Sequence, residues 1–169
     1  MTPPHAPEPI LRRPTEADHQ GIAAVIDEWF GGQRMTHVAG RSWFRHVGSS
    51  SWIAVDADGQ PAGILLGYRS QDHPDEAVIH LVAVDPNGRR RGLGRRLVDA
   101  FVADQERAGT RTVVALAWPG EPPSVAFFRA LGFRPTLGPG TQNLYGTPAH
   151  PDHEAPGDDR ILFERRIRS

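Results

Sequence analysis

Apolar positions along the chain change period, and the changes separate strands from helices. Ile10–Arg13 reads as a short strand. Ile22, Val25, Ile26 and Trp29 then recur at helical spacing. They predict a helix from an N-cap at Thr15, with Asp18 three residues on, to Phe30, ended by Gly31-Gly32. Arg41–Val47 predicts a second short helix carrying Trp43 and Phe44. Trp52–Asp56 and Ala62–Tyr68 predict strands around the turn Ala57-Asp58-Gly59-Gln60, and Ala77–Val84 is a further strand. Leu93, Leu97, Val98 and Phe101 form the apolar stripe of a helix that ends near Gly109. Thr112–Ala117 predicts a strand, Ser124–Leu131 a helix, Phe133–Leu137 a strand and Arg160–Ile167 a final strand. Thr141–Asp159, rich in Pro, Gly, Asp and His, predicts irregular structure. Strands alternating with helices, with a hairpin mixed in, imply an α/β chain with a mixed sheet and helices on both faces.

Composition narrows the function classes. At 169 residues the expected division is a Pro-rich flexible segment, residues 1–9, and a single domain, residues 10–169. A net charge of −1 argues against a general nucleic-acid binder. The absence of cysteine excludes disulfides, thiolate catalysis and cysteine metal sites. No apolar run reaches transmembrane length, and the Pro-rich N-terminus lacks a signal-peptide core, so a cytoplasmic protein without a membrane partner is expected. All nineteen basic residues are arginine, and with many Ala, Gly and Pro this points to a GC-rich bacterial genome.

The densest chemistry follows the Ala77–Val84 strand. Asp85-Pro86 ends the strand, and Asn87-Gly88-Arg89-Arg90-Arg91-Gly92-Leu93-Gly94-Arg95 leads into a helix. A glycine-containing loop at a helix N-terminus offers unpaired backbone N–H groups and the positive end of the helix dipole to an anion. A P-loop would need a lysine, and the chain has none. A dinucleotide loop would need a third glycine where Leu97 stands and an acid at the end of the next strand, which is missing. What remains is R-x-x-G-x-G, formed by Arg89, Gly92 and Gly94.

With this loop, and with Ser124-Val125-Ala126-Phe127-Phe128-Arg129-Ala130-Leu131-Gly132-Phe133 in order after it, the chain resembles the GNAT superfamily of acetyl-CoA-dependent N-acetyltransferases. The resemblance spans roughly residues 10–133. It implies a mixed, mostly antiparallel sheet of about seven strands, flanked by helices, whose fourth and fifth strands splay apart. The pantetheine arm of acetyl-CoA would lie along Val82, Ala83 and Val84. The Arg89, Arg90, Arg91, Gly92, Leu93, Gly94 and Arg95 segment would hold the pyrophosphate, and Ser124, Phe127 and Phe128 would complete the donor site. The activity implied is acetyl transfer to a primary amine of a small molecule or peptide, by direct attack in a ternary complex. The alternative is an acyl-CoA-binding module with weak or no catalysis. A second copy of the chain stays open as a partner.

Acetyl transfer needs a neutral amine, a stabilised carbonyl oxygen and a proton for the leaving thiolate. His80 stands where many family members carry a glutamate and is the leading base candidate, two residues before Val82 on the same strand. Phe128 stands where a tyrosine acid is frequent and cannot donate a proton. Glu121, before that helix, is a second candidate base or an ammonium ligand, and Tyr145 is a replacement acid. Trp29 and His37 lie in the region that lines the acceptor site in the family, and Glu154 and Asp158 of the tail are candidates for holding a cationic amine. His150 and His153, three apart in a Pro-rich stretch, lack the geometry of a metal site, so no metal is expected.

Overall fold

A computed structural model of the chain describes residue 4 and residues 7–88 and 91–167. Among the described residues are nine strands in a mostly antiparallel sheet, flanked by helices. In chain order they are β1 (Ile10–Arg12), α1 (His19–Ala23), α2 (Ile26–Trp29), α3 (Arg41–His46), β2 (Trp52–Val55), β3 (Pro61–Arg69), β4 (Glu76–Val84), α4 (Leu93–Ala108), β5 (Thr112–Ala117), α5 (Pro122–Ala130), β6 (Arg134–Pro135), β7 (Gln142–Leu144), β8 (Thr147–Ala155) and β9 (Asp158–Arg166). The chain forms two compact units, residues 1–68 with 81–104 and residues 69–80 with 105–169.

In the first unit β1, β2 and β3 pair antiparallel. Asp56 builds the β2–β3 turn: its carboxylate accepts the backbone N–H groups of Asp58 and Gln60, and Gly59 takes φ +77°. The predicted helix from Thr15 to Phe30 is broken. Glu16–Asp18 is a 3-10 turn, and α1 and α2 are separated at Val25, whose φ of −121° leaves the helical region. Its N–H bonds Ile22 three residues back, and a tighter turn replaces the α ladder. The apolar stripe survives, with Ile22, Ile26 and Trp29 buried. The Thr15 N–H donates to Asp18, and the Arg12 guanidinium, 2.8 Å from both carboxylate oxygens, holds that carboxyl below its usual range.

Two close fits set α4 on this unit. A Cβ on Gly63 of β3 would lie 3.1 Å from Leu97 Cδ1 and 3.4 Å from Leu93 Cδ2, so the first turns of α4 rest directly on strand backbone. Farther along, Asp104 accepts both arms of Arg13 at 2.8 and 3.0 Å and the Trp52 indole N–H at 2.9 Å. Arg13 also stacks on Trp52 at 3.7 Å.

In the second unit the first half of β4 pairs parallel with β5, and β5 pairs antiparallel with β9. β9 also takes β6 and β8 on its other edge, and β7 pairs β8. The predicted irregular tail, Thr141–Asp159, is therefore two hairpins. Tyr145 and Gly146, at φ +53° and +83°, form the two-residue turn between Leu144 and its partner Thr147. Pro156-Gly157 makes the next turn. The prolines and polar side chains hid the pattern, because β8 is buried only at Thr147 and Ala149 and its outer half is exposed. The α5 side of this unit is aromatic, with Phe128 packed edge-on to Phe133 at 5.4 Å and tilted on Phe163 at 5.6 Å.

Candidate active site

The parallel β4–β5 ladder runs from Glu76↔Thr112 to Ile79↔Ala115, short of the carboxyl ends of both strands. This early end fits a pair of strands that splay. His80 is the first β4 residue beyond the ladder. Burial alternates without interruption along β4, so His80 shares the half-buried face of Val82 and Val84, while Ala83 lies on the buried face. His80 has interactions with its surroundings.

Past Val84, Asp85 turns the chain: its N–H donates to Ala62, and its carboxylate accepts the Asn87 N–H. Arg89 and Arg90 lie outside the described residues. Gly92 takes φ +74°, with open space where a Cβ would be. Backbone conformation, not crowding, therefore requires glycine there. The Arg96 N–H bonds the Gly92 carbonyl and closes the first α-turn, so the Leu93, Gly94 and Arg95 amides are first-turn groups. No acidic residue sits in that turn, and Arg91 and Arg95 are exposed beside it. Arg96 is spent differently, on the Pro9 carbonyl at 3.1 Å and on Glu8. First-turn amides, no acid and two exposed arginines give this end of α4 the chemistry that suits an anion.

Glu121 precedes α5, whose first two residues are Pro122 and Pro123. Its carboxylate accepts the Ser124 hydroxyl at 3.5 Å. Phe127 is half-buried, whereas Phe128 is 4% exposed and belongs to the aromatic core. Tyr145 is 84% exposed at its hairpin turn, with its ring 3.9 Å from a Cβ placed on Gly120. In the first unit Trp29 is a buried core residue and His37 is exposed. The loop before His37 is tied by Asp27, which accepts the Met35 and Thr36 N–H groups and the Thr36 hydroxyl and is held below its usual carboxyl range by those bonds. In the tail, Glu154 lies 3.8 Å from His153, and Asp158 is clamped by Arg160.

Sequence reasoning did not single out Gly63, Asp104, Asp27 or Arg160. No local motif marks them, since each acts on residues distant in sequence or across a turn. Among the described residues no group of three or more His, Asp or Glu is placed to hold a metal ion, and no helix is long and apolar enough to cross a membrane.

The sequence profile of the Acetyltransferase (GNAT) family matches residues 19–133. The chain belongs to the GNAT acetyltransferase family. It is 29% identical over 116 residues to the L-2,4-diaminobutyric acid acetyltransferase of Nocardia farcinica, covering 69% of this chain and 60% of that relative. The chain thus spans less than two thirds of that relative's length. In fold it is similar to Ard1 from Thermoplasma volcanium, with a TM-score of 0.76 at 18% identity over 96% of this chain and all of that one. It is also similar to the diaminobutyrate acetyltransferase EctA from Paenibacillus lautus, solved with L-2,4-diaminobutyric acid and coenzyme A. There the TM-score is 0.67 at 17% identity, over 93% of this chain and 94% of that one.

Proposed function

We propose that this acetyltransferase transfers acetyl from acetyl-CoA to the primary amine of a small molecule by direct attack. The observation that carries the reading is a strand pair whose ladder stops at Ile79, with His80 next and a glycine-turned helix N-terminus at the end of the same strand. In the first unit, the backbone of Val82, Ala83 and Val84 would hold the pantetheine amides, and the amides of residues 91–95 the pyrophosphate. Arg89 and Arg90 would add charge to that cradle. In the second unit, Ser124 and Phe127 would contact the cofactor, with Phe128 supporting them from the core. The diaminobutyrate named for the relatives supports a small-molecule acceptor, and the proposed location is the cytoplasm.

An alkylammonium has no lone pair, and near neutral pH most of a primary amine is in that form. His80 would take the proton as the amine attacks the thioester carbonyl, and Glu121 would attract the cationic amine beforehand. The chain has no cysteine to carry an acyl thioester, and in the proposed direct attack the acetyl group would pass once, from sulfur to nitrogen. The departing thiolate would collect its proton from solvent or from Tyr145, since Phe128 has none to give.

The test is coenzyme A release from acetyl-CoA against a panel of amines, for the native chain and for His80→Gln. Turnover with a small primary amine, lost most strongly on the alkaline-rising limb in the variant, is the expected result. An unchanged rate and pH profile in the variant would remove His80 from the mechanism. Tight acetyl-CoA binding without turnover on any amine would instead mark an acyl-CoA-binding module.

A further inference from the structure

Over Trp118, just past the end of β5, lies an arginine of β9 whose donors are only partly spent. Arg160, the third residue of β9, is 4% exposed and stands opposite His150 of β8. Its Nε and Nη2 donate to the two carboxylate oxygens of Asp158 at 2.8 and 3.2 Å. Its guanidinium lies over the Trp118 ring at 4.1 Å. Nη1 is buried and has no hydrogen-bond partner. An arginine stays charged at any physiological pH, and its fork matches a carboxylate edge-on. A buried charged donor without an acceptor is costly, so an acceptor brought to Nη1 gains a bond that the fold does not supply. Trp118, half-buried, directly follows β5, and in sheets with parallel strands ligands collect beyond the carboxyl ends of those strands. The Tyr145 turn, strained at φ +53° and highly exposed, lies against Gly120, two residues beyond Trp118.

We infer that Arg160 is a specificity residue: its Nη1 takes the carboxylate of an acceptor that bears both a primary amine and a carboxylate. The inference rests on the acceptor being a small amine, as proposed above. Asp158 fixes the fork and Trp118 fixes its plane, so the remaining donors have one direction. The carboxylate gains a charge-assisted bond, and the acceptor's amine is held at a set distance from that anchor. Nη1 is buried, so the carboxylate reaches it as the groups covering it give way.

The test compares 2,4-diaminobutyrate with 1,3-diaminopropane, which lacks the carboxylate, and with 2,4-diaminobutyramide, which masks it. Binding to the protein saturated with coenzyme A is measured by calorimetry, and turnover by thiol release. The native chain is expected to favour the carboxylate acceptor by at least about tenfold in both readouts. Arg160→Gln should remove that preference while leaving the diamine unchanged, and Arg160→Lys should restore part of it. Equal binding of the three compounds by the native chain overturns the inference, whether or not Arg160→Gln folds. An equal loss for all three in a folded Arg160→Gln overturns it too, by marking a structural role. A retained carboxylate preference in binding without turnover overturns the catalytic reading alone.

Discussion

At the N-terminus of α4 the groups proposed to hold a ligand are backbone amides, whereas in the β8–β9 hairpin they are side chains. The first region needs a strand end, a glycine at positive φ and a helix start, and each leaves a mark on the local sequence. The second needs Arg160 and Asp158 of β9 brought to Trp118, just past β5, and no spacing announces it. On the proposed reading, the donor would be held by a backbone device, while acceptor recognition would rest on side chains any one of which can be exchanged.

The comparison breaks first at the chemistry. His80→Gln is expected to lower kcat/KM roughly 100- to 10,000-fold, as loss of a general base does, with little change in acetyl-CoA affinity. A comparable loss of acetyl-CoA affinity in titrations would show that His80 belongs to donor binding. Gly92→Val comes next. A β-branched residue at φ +74° costs about 1–2 kcal/mol. Acetyl-CoA affinity should fall about tenfold, at about 1.4 kcal/mol per decade, with amine selectivity unchanged. An intact affinity would mean the cradle does not depend on that turn.

Gly63→Ala tests the seating of α4 rather than its end. The added methyl meets Leu97 at 3.1 Å, and overpacking of this kind costs about 1–3 kcal/mol. In a chain this long each kcal/mol lowers Tm by about 2–4 °C, which a thermal melt resolves. An unchanged melt would show that Leu93 and Leu97 yield freely. The smallest effect concerns Asp27. Its carboxyl is held below the ordinary range by the Met35 and Thr36 hydrogen bonds, so its contribution is complete above the unfolded value near 3.8 and is lost as pH falls through the lower folded value. Amide protection at Met35 and Thr36 should therefore drop in that acidic window and nowhere above it. Protection that persists through the window, or Asp27→Ala with unaltered protection at neutral pH, would detach this loop from Asp27.

Legibility divides along the same line. The period of the apolar residues reveals β4, α4 and β5 because each buries one clear face: Leu93, Leu97 and Phe101 in α4, and Val113, Ala115 and Ala117 in β5. Two elements depart from the sequence pattern for opposite reasons. The stripe Ile22-Ile26-Trp29 concealed a break at Val25, since a tight turn can keep three apolar side chains inward. The tail concealed strands, since prolines and acids occupy the exposed positions of β8 and leave only Thr147 and Ala149 as an inward signal. The Tyr145-Gly146 and Pro156-Gly157 pairs were the available cues to hairpins. Arg160 could not have been found this way, because its interest lies in one nitrogen left unpaired after folding.

The two-residue turn at Tyr145-Gly146 also governs how the tail can change in length. It locks Thr147 opposite Leu144, so one residue inserted between Thr147 and His150 would turn Thr147 or Ala149 outward and a polar neighbour inward. Beyond it the register already slips: Asp152 takes φ +52°, and its carboxylate accepts the Gly157 N–H. Evolution can therefore lengthen or shorten this hairpin one residue at a time past Asp152, but only in pairs before it. Variation among descendants of this chain should gather at the hairpin's tip and spare its root.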